Sequence, residues 1–375
     1  MRALVFFLLF LTAGIAQAKT SSSLTLYVYP PYRPLNWESP QTVLHDFLGI
    51  EIGRQLTMDD AVKFQSGSGD RGTLSSTYKS TMGHTLSHVQ CRLSNGELFD
   101  RWTSFSGQNY VEIDKKNLLK EQLGLGVLFY NYPDGHIVEG EENIKRITHY
   151  AGNSPRYLEV EIDAVACDGL KEMITFFEGF HFKSGTPLKE LLKRPATETL
   201  YFNSTLDPYD AYLNRLSDPS AIVGGGCAPY GAALLKMARR YSDEFDESWK
   251  LRVAISERLI GGPTRRVSIS ALLFGSLGTQ WQYAGYSNRV MTVFDPAKIW
   301  NFLGEARDCL KNRVGCSSSG ANWAGRQQVA QGPTQLFTDQ ILKTVTFHHP
   351  KLGLQSKKVQ VKVKQPVDGL IWRLR

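Results

Sequence analysis

Apolar positions recur along the chain in short runs, some at period 2 and others at period 3.6. Leu24-Thr25-Leu26-Tyr27-Val28-Tyr29 reads as a strand, stopped by two prolines. Ser39-Pro40 opens a helix: Ser39 is the N-cap, Pro40 takes the first helical position, and Val43, Leu44, Phe47 and Leu48 share a face. Residues 84–106 form a hairpin about Asn95-Gly96, the pair that favours a two-residue turn. That turn sets Ser94 opposite Glu97, Val89 opposite Trp102 and Cys91 opposite Asp100. It puts His84, Leu86 and Phe105 together on the other face. Tyr157 to Ile162 alternates as a strand and leads into a helix striped by Leu170, Met173, Ile174 and Phe177, ended by Gly179 or Gly185.

Pro187 to Gly226 lacks a clear period and carries turn signals at Asp207-Pro208 and Asp218-Pro219. A sharply periodic helix follows, with Tyr230, Ala233, Leu234, Met237, Ala238 and Tyr241 on one stripe and Pro229 in its first turn. Beyond Trp249 the texture changes. Arg266–Phe274 and Val290–Phe294 read as strands, a helix starts at Pro296, Gly315–Gly320 is a loop, and Lys357–Lys364 alternates Lys with Val. A soft boundary near residue 250 therefore divides a main domain, 19–250, from a C-terminal lobe, 251–375, expected to cover or modify a cleft. The fold class is α+β: an antiparallel sheet packed on helices, with an additional mainly β C-terminal region.

The 375 residues are 42% apolar and 21% charged, enough apolar surface for a buried core and far from a disordered composition. The one long apolar run is N-terminal. Arg2, the run Leu4 to Leu11 and Ala16-Gln17-Ala18 read as an export signal, residues 1–18, cleaved after Ala18. The run is short for a membrane span, and a polytopic membrane protein is excluded. The expected location is the periplasm or the exterior. The net charge of +7 suits anionic envelope polymers or contact with a membrane surface. No basic stripe with interleaved aromatics points to nucleic acid.

Five cysteines in an oxidising compartment leave at least one unpaired. Cys309–Cys316 is the nearest pair, Cys91–Cys167 a second, and Cys227 the thiol left over. Gly224-Gly225-Gly226 runs into Cys227 at a helix start, where the helix dipole and unbonded N–H groups lower a thiol pKa and stabilise an oxyanion. Such a nucleophile needs a base, most often histidine. His84, at the head of an apolar-faced strand, is the best placed; His88 lies about 13 Å along the same face. His348-His349 project opposite ways on a strand, and neither H-E-x-x-H nor C-x-x-C occurs, so no metal or cofactor is expected. The predicted register puts Gly107 opposite His84 with Ser106 and Gln108 beside it, and Gln108 is the candidate to orient the imidazole.

Gly83-His84 opening a strand, a hairpin, a Tyr/Leu-rich strand, an amphipathic helix and a cysteine at a helix N-terminus follow one another in that order. This order, His before Cys, resembles the circularly permuted papain-like fold of permuted NlpC-like peptidases, lecithin:retinol acyltransferase-like proteins and Lnb-type periplasmic acyltransferase domains. The Lnb type is nearest, with Tyr201-Phe202-Asn203 as its extended segment before the cysteine. The resemblance covers residues 80 to 240. It implies Cys227 as nucleophile and His84 as base, acting on an amide or ester of a peptidoglycan stem, envelope peptide or lipoprotein. Tyr201, Asn203, Gly225 and Gly226 would line the substrate cleft. Two features depart from the family: Gly226 stands where Asn is frequent, and the chain lacks the membrane spans of Lnb-type enzymes. Two other readings compete. One is a non-enzymatic envelope protein with Cys227 buried. The other is a glycan-cleaving enzyme with paired carboxylates, for which Glu172 and Glu178 read as solvent-facing charges.

Overall fold

A computed structural model describes residues 22–31, 34–52, 83–106, 122–132, 136–139, 155–178, 199–203, 207–218, 223–241, 243–261, 265–312, 327–330, 338–349, 353–364 and 368–372. In chain order the elements begin with β1 (Ser23–Tyr29), α1 (Pro40–Ile52), β2 (His84–Arg92), β3 (Leu98–Ser106), a single helical turn α2 (Gly126–Phe129), β4 (Tyr130–Tyr132), β5 (His136–Glu139), β6 (Arg156–Glu161) and α3 (Ala164–Glu178). Next come β7 (Thr199–Asn203), α4 (Pro208–Ser217), β8 (Val223–Gly225), α5 (Cys227–Met237), α6 (Asp243–Trp249), β9 (Lys250–Ser256), α7 (Ile269–Leu273), β10 (Asn288–Phe294) and α8 (Pro296–Asn312). The last strands are β11 (Gln327–Ala330), β12 (Thr338–His349), β13 (Gly353–Lys364) and β14 (Asp368–Trp372).

The fold is α+β. Its main sheet has the order β11-β14-β6-β1-β2-β3-β5, antiparallel except where β14 runs parallel to β6. Smaller sheets are β4-β7-β8, β9-β10 and β12-β13. Alternation in β1 buries Leu24, Leu26 and Val28, with Val89, Leu158 and Val160 on the paired strands beside them. Leu170, Met173, Ile174 and Phe177 of α3 complete this core together with Tyr230, Ala233 and Leu234 of α5. Phe105, Phe177 and Tyr230 pack ring on ring, with centroids 5.4–6.1 Å apart, and so link β3, α3 and α5. Each such ring contributes about 1.5–3 kcal/mol by leaving water. Cys91 and Cys167 form a disulfide that ties β2 to α3, with Cα atoms 6.0 Å apart.

The hairpin differs from expectation by one residue. Leu93 and Glu97 pair (N to O 2.9 Å), and Gly96 N–H bonds Leu93 O at 2.9 Å, so the loop is the three residues Ser94–Gly96, closed by Gly96 at φ +84°. His88 then faces Trp102 and Gln90 faces Asp100, while Cys91 faces Phe99 and Val89 faces Arg101. A one-residue slip turns every β3 side chain to the opposite face. Phe105 therefore joins the helix-covered core rather than the Leu86 face.

Asp207-Pro208 is a helix start, not a turn. The Asp207 carboxylate accepts the Tyr209 N–H at 2.9 Å as N-cap of α4, with Pro208 in its first turn. Within the stretch read as irregular, β7, α4 and β8 form. Most of Arg266–Phe274 is the short helix α7, started by Ser268, rather than a strand. Residue 250 lies inside one core: Trp249, Val253, Ile255, Met291 and Ile299 belong to the same cluster as Leu24 and Val89. The N-terminal leader, the loop Ser66–Asp70, Gln108, Cys316 and Gly315–Gly320 lie outside the described residues, so the Cys309–Cys316 pairing does too.

Candidate thiol site

α5 begins at Cys227, with Gly226 as its N-cap in extended conformation and the Tyr230 N–H bonding Gly226 O at 2.9 Å. The Cys227 and Ala228 N–H groups precede the first intrahelical bond, and Pro229 has none to offer. Cys227 is a free thiol, 5% exposed, and lines a cleft that opens to solvent. Leu35 and Trp37 from the chain before α1, Leu128 of α2 and Thr292–Pro296 at the end of β10 wall this cleft. The segment beyond residue 250 thus supplies one wall.

His84 opens β2 directly after Gly83, whose φ is +88° and where a Cβ would meet Pro296 Cβ at 2.8 Å. Only glycine allows the chain that turn and that approach. His84 hydrogen-bonds the Cys227 thiol. Its Nε2 lies 2.7 Å from Ser104 Oγ, and Ser104 Oγ donates to Thr85 O at 2.9 Å. With its proton committed to Thr85, the Ser104 hydroxyl accepts from Nε2–H, which leaves Nδ1 as the basic ring nitrogen. Thr85 turns its backbone N–H to the sulfur. Burial pushes the Cys227 thiol up, but the charge and hydrogen bond of His84 and the contribution of Thr85 outweigh it and draw it down to about 7.

The structure brings together His84, Cys227 and the cleft-lining Gly226. Gly225 stands in β8 against Pro208, where a Cβ would overlap the proline ring, and pairs with Tyr201 of β7. Asn203, at the end of β7, pairs with Tyr130 of β4. Tyr201 therefore pairs with a residue two before the nucleophile, and Asn203 lies two residues further along β7, beyond the last residue paired with β8. Sequence reading missed Ser104, because the two-residue turn assigns it to the wrong face of β3. It missed Thr85 for want of any local signal. His88 belongs elsewhere: its ring stacks on Trp102 at 4.1 Å and its Nε2 meets Asp100 at 2.8 Å. Glu178, read as solvent-facing, is half-buried beside Arg101 at 3.5 Å.

Among the described residues no cluster of three or more His, Cys, Asp or Glu could hold a metal ion, and no helix is long and apolar enough to cross a membrane. No family model, curated protein or solved structure matches the chain.

Proposed function

We propose that this protein is an exported thiol enzyme of the permuted papain-like kind, in which Cys227 attacks an amide or ester carbonyl with His84 as base. The observation that carries the reading is the Cys227–His84–Ser104 chain on an open cleft, with the thiol drawn down to about 7. The order of parts supports the kinship: a histidine at the head of a strand in an antiparallel sheet, then a cysteine at the head of a helix packed on that sheet. Export rests on the N-terminal signal pattern, and location favours peptidoglycan stems, envelope peptides or lipoproteins as substrates.

His84 Nδ1 takes the thiol proton and the sulfur bonds the carbonyl carbon. The carbonyl π pair moves to oxygen, toward the N–H groups at the start of α5. As the C=O bond re-forms, the bond to the leaving nitrogen or oxygen breaks, and the imidazolium returns its proton to that group. The acyl group now sits on Cys227 sulfur. Water or another acceptor, deprotonated by His84, attacks the thioester carbon and the C–S bond breaks. Ser104 fixes the tautomer for both half-reactions.

The test uses the full chain and p-nitrophenyl butyrate, read by p-nitrophenol release and by the mass of the Cys227 peptide. The expected result is a burst with a butyryl group on Cys227, lost in Cys227→Ala and slowed about a hundredfold or more in His84→Ala. Ester turnover in Cys227→Ala equal to the native rate overturns the reading.

A further inference from the structure

Among the described residues, Asp295 is the only acidic one that lines the cleft shared with Cys227, and the walls around it are mostly apolar. It is 8% exposed. Its Oδ1 accepts the Ala297 N–H at 2.8 Å as it caps α8, and the Trp37 side chain lies close by. Both neighbours are neutral. Among the described residues Asp295 forms no ion pair: Lys298 acts on it only through space, with its Nζ turned to Lys250 O at 3.4 Å. Burial pushes this carboxyl up, opposed by the Ala297 N–H, Trp37 and Lys298.

A helix cap does not require a charge, since asparagine caps as well as aspartate. An acid in a half-enclosed apolar cleft carries a desolvation cost that capping leaves unexplained. Opposite charge is what the position lacks, and the open side of the cleft is where it can enter. We propose that Asp295 is a specificity group that receives a substrate ammonium beside the carbonyl attacked by Cys227. The ligand class is an amine-bearing acyl compound, such as a peptide with a free α-amine or a basic side chain next to the scissile bond. The inference rests on the reading of Cys227 as an open-cleft nucleophile.

Charged alkylating reagents test it without a known substrate. The native full-length protein is treated with 2-bromoethylammonium, iodoacetamide and iodoacetate, and the Cys227 peptide is followed by mass spectrometry. Each rate is divided by that reagent's rate with N-acetylcysteine amide. The expected ranking is cation over neutral over anion, with roughly tenfold between the extremes, the factor one charge-assisted hydrogen bond supports. Asp295→Asn, which keeps the cap, brings the cation-to-anion ratio towards one, and Asp295→Glu retains the ranking. A flat ranking in the native protein, which needs no variant to fold, overturns the inference. So does a ranking unchanged in Asp295→Asn. A native Cys227 that resists all three reagents overturns the nucleophile reading together with this inference, whereas brisk iodoacetamide labelling without charge ranking overturns this inference alone.

Discussion

A buried thiol that faces one imidazole and the Thr85 N–H titrates about 7 rather than in the ordinary thiol range. Because only the thiolate alkylates, Cys227 labelling should rise with pH through a midpoint near 7 and level off above it. At pH 6 only about one tenth is thiolate. His84→Ala removes the charge and the hydrogen bond that lower the pKa and leaves the burial that raises it, so the midpoint should move to higher pH. Labelling followed by mass across pH 5–10 measures both. Ser104 acts through His84. Ser104→Ala removes the acceptor for Nε2–H and should slow butyryl transfer to Cys227 roughly tenfold, with Ser104→Thr recovering most of the loss. A shift in the labelling midpoint would accompany that loss, which reduced packing alone does not produce.

Two attachments hold the elements that carry the pair. Asp207 caps α4 and also pairs with Lys236 of α5, the helix that starts with Cys227. Asp207→Ala should cost about 1 kcal/mol through the cap, read as a shift in the urea midpoint. The Cys91–Cys167 bond closes a separation of 76 residues and joins β2, the strand of His84, to α3. Cys91→Ser with Cys167→Ser should lower unfolding free energy by about 2–4 kcal/mol, measured by denaturant titration. Both cysteines lie on the buried side of their elements, which is why a bridge predicted from compartment and count has the geometry to form.

Across the whole molecule one core spans the region once read as a domain boundary. Phe245 stacks on Trp249 at 4.2 Å, and Phe302 of α8 meets both rings edge-on at 5.8 and 6.1 Å. β10 packs Met291 inward while its last residues wall the cleft, and β14 enters the main sheet beside β6. A chain ending at Ser248 loses the cleft wall, the β14 pairing and the Trp249 and Phe302 rings packed on Phe245. It should show no cooperative thermal transition, and no Cys227 labelling faster than a model thiol. Phe302→Ala in the full chain should cost about 3–5 kcal/mol, read by denaturant titration.

The local patterns were legible in the amino acids. The period-2 run of β1, the stripe of α3 and the helix start at Cys227 depend on neighbours within one or two turns, and cap chemistry and side-chain spacing act at that range. His84 and Cys227 could be paired as candidates because each sits at the head of an element. The rest was decided by tertiary structure. Asn95-Gly96 suits both a two-residue turn and a three-residue loop with Gly96 left-handed, and the choice reverses both faces of β3. Ser104 reaches His84 only in the second. Asp207-Pro208 serves a turn or a helix cap equally well until α5 offers α4 a surface to pack on. Thr85, Trp37 and Asp295 come to the thiol through strand pairing and helix docking between distant segments. Such contacts leave no periodic trace in any one stretch of chain, so the cleft and its acid emerged only when the chain was folded.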